Sequence, residues 1–261
     1  MDTLKTKGYV MNVFPWNDRD RLLHLLTPGL GLITANARGS SGIKSKLRSL
    51  TQLFSLCDYT LIEKQGRYTV RSGEMIEPFA HIAFDLDRVT AASHTAEVFS
   101  DVARNSEPQR LIFELLGYVL YDIDISSDPV FSARLGTFRL MCDIGFSPCL
   151  DGCVRCHHKL GKPPYCFSYH AGGMLCGRPE CCHPDDGVIT LSKSAASLLT
   201  YVSLAPYNRL FLFHASETVR TEVSDFTDRW LQEKMEKSYS RLSLLDHTPF
   251  RGVSRADLSR Q

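Results

Sequence analysis

The stretch C-V-R-C at residues 153–156, followed after nineteen residues by C-G-R-P-E-C-C at 176–182, decides how the second half of this chain is read. Two cysteine turns at that distance close on one point, as the two knuckles of a zinc ribbon do. A zinc ion takes four soft ligands in a tetrahedron, and two short Cys-x(2–4)-Cys turns supply two thiolates each. Cys153 and Cys156 make the first turn, and Cys176 opens the second. Cys181 closes it across four intervening residues, with the adjacent Cys182 as the alternative fourth ligand. His157, His158 and His183 also stand close enough in sequence to compete.

Disulfides and inert buried thiols are the competing explanations. The opening M-D-T-L-K runs into no apolar signal-peptide core, which predicts a cytoplasmic, reducing setting. There disulfides are rare and clustered thiols favour metal. Zinc deaminases also carry Pro-Cys-x-x-Cys, but they need an upstream His-x-Glu, and no histidine here is followed that way. Four thiolates leave no open position for a water. The zinc is therefore expected to be structural, and with no nucleophile–base pair in view we expect no enzymatic activity.

With 261 residues the chain has room for one large or two to three small domains. Its 43% apolar and 23% charged residues are ordinary for a soluble globular protein. No run approaches the ~18 apolar residues of a membrane span. The net charge is only +1, but it is unevenly spread. Residues 21–57 contain no acid, yet they include Arg21, Arg38, Lys44, Lys46 and Arg48. This asymmetry predicts a polyanion-binding face near the N-terminus.

The first eighty residues or so read as short strands. Residues 7–14, 22–26, 31–37, 50–63 and 67–76 are the β-rich runs, with turns marked by Asn17 to Asp20, by Thr27-Pro28-Gly29 and by Gly66. Five strands with one longer connection fit a small closed barrel, either an OB-fold or an SH3-like barrel. The connection, residues 37–49, is small, polar and basic. It is not a P-loop, because Gly42 is followed by Ile43 and not by lysine. Lys44, Lys46 and Arg48, with Arg38 before them, suit phosphate neutralisation on nucleic acid; the plainer reading is a solvated loop. Phe54, Tyr59 and Tyr68 are candidate base-stacking rings, although alternate strand aromatics more often form core.

After Pro78 the apolar period becomes helical through Phe79, Ile82, Ala83, Leu86 and Val89 toward Val102. Ser106 with Pro108 starts a second helix, and Asp128-Pro129 a third that stops at Gly145. The cysteine stretch then interrupts the helices; Tyr165 to Tyr169 reads as a strand within it. Ser192 and Ser216 cap two further helices, the last with Phe226 and Trp230 in its core stripe. The fold class is α+β: an N-terminal barrel over 1–78, then an α-helical domain over 79–246. A zinc-binding segment over 147–190 is inserted in that domain, and a disordered tail with Arg251, Arg255 and Arg260 follows from 247.

The order L-T-P-G-L-G-L-I-T-A-N-A-R-G, then F-R-L-M-C-D-I-G-F-S-P-C-L, then C-V-R-C and G-G-M-L-C resembles the bacterial RecO family of recombination mediators. The likeness runs over residues 8–246, and none of these pieces is a catalytic motif. It implies an OB-fold barrel and a zinc-bearing helical domain. It also implies binding of single- and double-stranded DNA, annealing of complementary strands, and work with RecR to load RecA on DNA coated by single-strand binding protein. The acidic C-terminal tail of single-strand binding protein is the implied peptide partner. The family's basic barrel positions fall on Arg38, Lys44, Lys46 and Arg48, and its zinc ligands on Cys153, Cys156, Cys176 and the Cys181/Cys182 pair. Arg139 is the cation we expect beside an apolar pocket for that tail. The competing class is a zinc-ribbon factor in transcription or translation. It would want a basic ribbon, whereas residues 157–175 carry only Lys159 and Lys162 as lysine or arginine.

Overall fold

The computed structural model describes residues 2–105, 109–182 and 187–242. Five strands open the chain: β1 (Asp2–Pro15), β2 (Arg21–Thr27), β3 (Gly31–Ala37), β4 (Leu56–Lys64) and β5 (Arg67–Glu77). They close into a barrel in the order β1-β2-β3-β5-β4, with β4 returning to β1. The pair β3/β5 is parallel, Ala35 opposite Tyr68 and Asn36 opposite Thr69. That order, which the periodicity could not supply, makes the barrel OB-like. Strand alternation decides what faces inward: Ile33, Ala35 and Ala37 of β3 are buried with Leu23, Leu25, Tyr59 and Leu61, while Thr34 and Asn36 face out.

The expected fourth strand begins later than its apolar run. Residues 49–51 form a 3-10 turn, and Phe54 sits at φ 66 before β4 starts. The turn is pinned where the Tyr59 hydroxyl donates to the Leu50 carbonyl at 2.6 Å. At the β4–β5 hairpin Gln65 and Gly66 both take positive φ, 54 and 72, as a two-residue I′ turn requires.

Five helices follow: α1 (Leu86–Asn105), α2 (Gln109–Ile125), α3 (Pro129–Asp143), α4 (Lys193–Leu204) and α5 (Glu217–Met235). Helical spacing from Phe79 to Val89 is broken in fact. Residues 80–84 form a 3-10 turn and Asp85 is extended before α1 begins. Asp128, Ser192 and Ser216 cap their helices by accepting from Phe131, Ala195 and Val219 backbone N–H groups. The Ser106 cap and Pro108 lie outside the described residues, as do His183 and the tail from 247. Helices α2 and α3 approach closely at Gly136, where a Cβ would stand 2.5 Å from a Val119 methyl.

Between α3 and α4 lies a three-stranded antiparallel sheet in the order β7-β6-β8, from β6 (Tyr165–Ser168), β7 (Gly173–Leu175) and β8 (Val188–Leu191). It is joined to the helical core by aromatic packing. Phe167 of β6 meets Phe226 at 4.9 Å and Trp230 at 5.9 Å between ring centroids. The Trp230 indole N–H donates to the Phe146 carbonyl at 2.9 Å. The barrel joins the same core: Tyr9, Met11, Leu26 and Phe54 pack with the helices, and the Tyr9 ring lies 4.7 Å from that of Phe113. No described helix is long and apolar enough to cross a membrane.

Candidate nucleic-acid interface and metal centre

Barrel register builds a groove on the outer face. Leu22 lies opposite Asn36, Asn36 opposite Thr69, and Thr69 opposite Ile62, so one row of outward side chains crosses β2, β3, β5 and β4. Loops raise its walls. Trp16, in the β1–β2 loop, is 63% exposed, and Lys64 and Arg67 flank the β4–β5 turn. Arg38 and Tyr68 complete a depression of about 780 Å³ with three cations and no acid in its lining. The Asn36 Oδ1 is buried there without a hydrogen-bond partner among the described residues. These are the loops and strand face by which OB barrels take oligonucleotides: cations for phosphates and rings for bases.

The residues singled out from sequence divide accordingly. Arg38 stands in the groove wall. Lys44, Lys46 and Arg48 are exposed on the connection after β3, outside the groove's lining. That connection is a chain of turns, held by Ser41 N–H to the Arg19 carbonyl at 3.0 Å and Gly39 N–H to Asp20 Oδ1 at 2.8 Å. Arg21 is committed to Thr51 Oγ1 at 2.8 Å. Phe54 and Tyr59 are core, and Tyr68 is the ring of the three that reaches the groove. Trp16, Lys64 and Arg67 were missed. An exposed tryptophan in a polar turn was the available signal for the first; the other two join only through the β3/β5 pairing.

The candidate metal centre, a cluster of four cysteines, forms where two turns meet. In the first, His157 N–H donates to the Cys153 carbonyl at 2.8 Å and Cys153 N–H to the His158 carbonyl at 2.9 Å. In the second, Gly177 takes φ +78, Cys181 N–H donates to the Arg178 carbonyl, and Arg155 donates across to the Cys181 carbonyl at 2.8 Å. The four sulfurs of Cys153, Cys156, Cys176 and Cys181 lie within 4.8 Å of one another. The Cys156–Cys176 separation is 3.6 Å. A tetrahedron with metal–sulfur bonds of about 2.3 Å has edges of about 3.8 Å, so the donor set fits zinc in number, chemistry and size. Cys181 is the member of the 181/182 pair in this set, and neither His157 nor His158 joins it.

Burial works against a thiolate at Cys153, but backbone N–H groups of Cys156, Arg155 and Cys176 outweigh it and lower its pKa. Burial and the neighbouring thiols push Cys181 up.

Arg139 is 11% exposed and heavily engaged. It donates to Asp143 Oδ1 at 2.9 Å and to the Val202 and Ala205 carbonyls, and its guanidinium lies 4.9 Å over the Tyr207 ring.

Residues 1–79 match the family model "Recombination protein O N terminal" and residues 83–242 match "Recombination protein O C terminal". Among curated relatives, the DNA repair protein RecO of Acetivibrio thermocellus is 30% identical over 246 residues, covering 94% of this chain and 97% of that protein. The DNA repair protein RecO of Listeria innocua is 26% identical, covering 92% and 89% respectively. That of Dehalococcoides mccartyi is 26% identical, covering 97% of each. Both halves of the chain match in order and nearly end to end, and the chain belongs to the recombination protein O (RecO) family.

Proposed function

We infer that this chain is a non-enzymatic, cytoplasmic mediator of DNA repair and recombination. It binds single- and double-stranded DNA through the barrel, anneals complementary strands and, with RecR, helps load RecA onto DNA coated by single-strand binding protein. Family membership supports the role in DNA repair and recombination. The observation that carries the mechanism is the acid-free groove, with Trp16 and Tyr68 beside Arg38, Lys64 and Arg67. Cations there release counterions from phosphates of one strand, and the rings hold its bases unstacked. Lys44, Lys46 and Arg48 would hold the second strand's phosphates, which lowers the repulsion between two complements.

The four-cysteine cluster would hold one zinc ion, whose contribution is a cross-link between residues 153–156 and 176–181. A sheet this small buries too little apolar area to fix its own loops. For the acidic tail of single-strand binding protein, Arg139 would exchange Asp143 for the peptide carboxylate. An Arg139→Ala variant that binds the tail peptide as wild type does would remove it from that site. The reading as a whole is tested by annealing of complementary oligonucleotides by the pure protein without ATP. Arg38→Ala/Lys64→Ala/Arg67→Ala should lose most of the annealing rate; a wild-type rate in that variant, or a need for ATP, contradicts it.

A further inference from the structure

A second groove lies on another face, between the barrel and α2, and its chemistry is opposite to that of the first. It encloses about 750 Å³. Tyr9, Phe79 and Phe113 form an apolar floor. Tyr118, Tyr121 and Ile125 project along one face of α2, respectively 42%, 56% and 54% exposed, and Leu212 on the opposite wall is 71% exposed. Spending this much aromatic and aliphatic surface on water is costly, and a patch of this kind with a polar rim marks an interaction site.

Charge says which partner fits. Glu77 at the end of β5 and Glu114 and Asp122 on α2 line the groove, and no Lys, Arg or His does. Two cations beside it are already engaged: Arg110 pairs with Glu114 at 2.9 Å from an exposed position, and Arg139 lies over Tyr207 while holding Asp143. Among the described residues Glu77 and Glu114 face no buried counter-charge, whereas Asp122 accepts from the Ser132 hydroxyl at 2.6 Å. Nucleic acid would meet like charge here. A basic segment would meet carboxylates at the rim and tyrosine faces suited to guanidinium and ammonium groups.

We propose that this groove docks a basic peptide segment of a partner protein, in which Arg or Lys residues flank an aromatic or aliphatic anchor. The anchor fills the Phe79–Phe113 floor and the cations reach Glu77 and Glu114. This site is separate from the DNA groove and does not depend on it.

The test uses the full chain and two fluorescein-labelled octapeptides. One alternates Arg and Lys with Phe and Leu; its twin carries Glu at every basic position. Anisotropy should show the basic peptide binding at least tenfold more tightly than the twin. Glu77→Gln/Glu114→Gln and, separately, Tyr121→Ala should each weaken it about tenfold, with oligonucleotide binding unchanged. Equal affinity for the two peptides, or wild-type affinity in both variants, overturns the proposal. So does a tenfold gain in peptide affinity in the full chain carrying Arg251→Glu/Arg255→Glu/Arg260→Glu, which would make residues 243–261 the occupant. Self-association of the wild type that Glu77→Gln/Glu114→Gln abolishes would make it a second copy and overturn the proposal equally.

Discussion

Cys156 and Cys176 bring their sulfurs to 3.6 Å across nineteen intervening residues, and β6 lies within that interval. A metal held there would tie a loop whose middle is already packed on α5 through Phe167. We expect about one zinc per chain by elemental analysis. Cys181→Ser should lose it and lower Tm by about 5–10 °C, as loss of a structural ion from a host of this size does. Cys182→Ser should keep the metal; zinc loss in Cys182→Ser with retention in Cys181→Ser would reverse the assignment.

Stacking and charge in the barrel groove are separable. Trp16→Ala and Tyr68→Ala should each cost about 1–3 kcal/mol in single-strand affinity with little change in salt slope. Arg38→Ala/Lys64→Ala/Arg67→Ala should instead flatten the slope of log K against log salt by up to about two units, about 0.7 for each lost phosphate contact. Titrations at several salt concentrations distinguish the two effects. Slopes that match wild type in the triple variant would remove the groove from the phosphate path.

The loop after β3 gives a finer expectation. Lys44→Ala/Lys46→Ala/Arg48→Ala should spare single-strand affinity more than the groove triple does and slow annealing more than it slows binding, because these cations are assigned to the second strand. Stopped-flow annealing beside equilibrium binding measures both. Parallel losses in the two would merge the loop with the groove.

His94 offers a pH test of the helical core. Burial and, next, the Arg134 charge lower its pKa to about 4, and neither ring nitrogen has a hydrogen-bond partner among the described residues. The unfolded chain takes up a proton near pH 6.5 while the folded one resists until about 4. This contribution is whole above about pH 6.5 and lost as pH falls toward 4, to a total of about 3 kcal/mol. Denaturant unfolding between pH 7 and 4.5 should show that decline in wild type and a shallower one in His94→Phe. Equal declines would assign the acid sensitivity elsewhere.

Gly136 is where α2 and α3 meet, and Gly136→Ala should destabilise by about 1–3 kcal/mol because the fully buried Val119 would have to shift. Unfolding midpoints measure it; an unchanged midpoint would mean the crossing is looser than 2.5 Å implies.

Local chemistry was legible in the sequence where it was self-contained. The run 31–37 is β3 as read, and the caps at Asp128, Ser192 and Ser216 follow from one side chain and the next turn. The cysteine cluster was legible because metal ligation imposes its own spacing. Three features were not. The break at Asp85 hides in a pattern whose apolar spacing a 3-10 turn also satisfies. Strand β8 is four residues long with only Leu191 buried, too little alternation to register. The barrel groove depends on β3 pairing with β5, a contact across some thirty residues that no local period encodes. The basic loop drew attention through composition alone, while Lys64 and Arg67 sit among acids such as Glu63 and gave no such signal.

The central claim is that a single DNA strand lies in the barrel groove between Trp16 and Tyr68. Ultraviolet cross-linking of a 5-iodouracil oligonucleotide to the full chain, followed by peptide mapping, tests it most directly. Adducts should map to the peptides containing Trp16 and Tyr68 and disappear in Trp16→Ala/Tyr68→Ala. Adducts confined to residues 79–242 would contradict it.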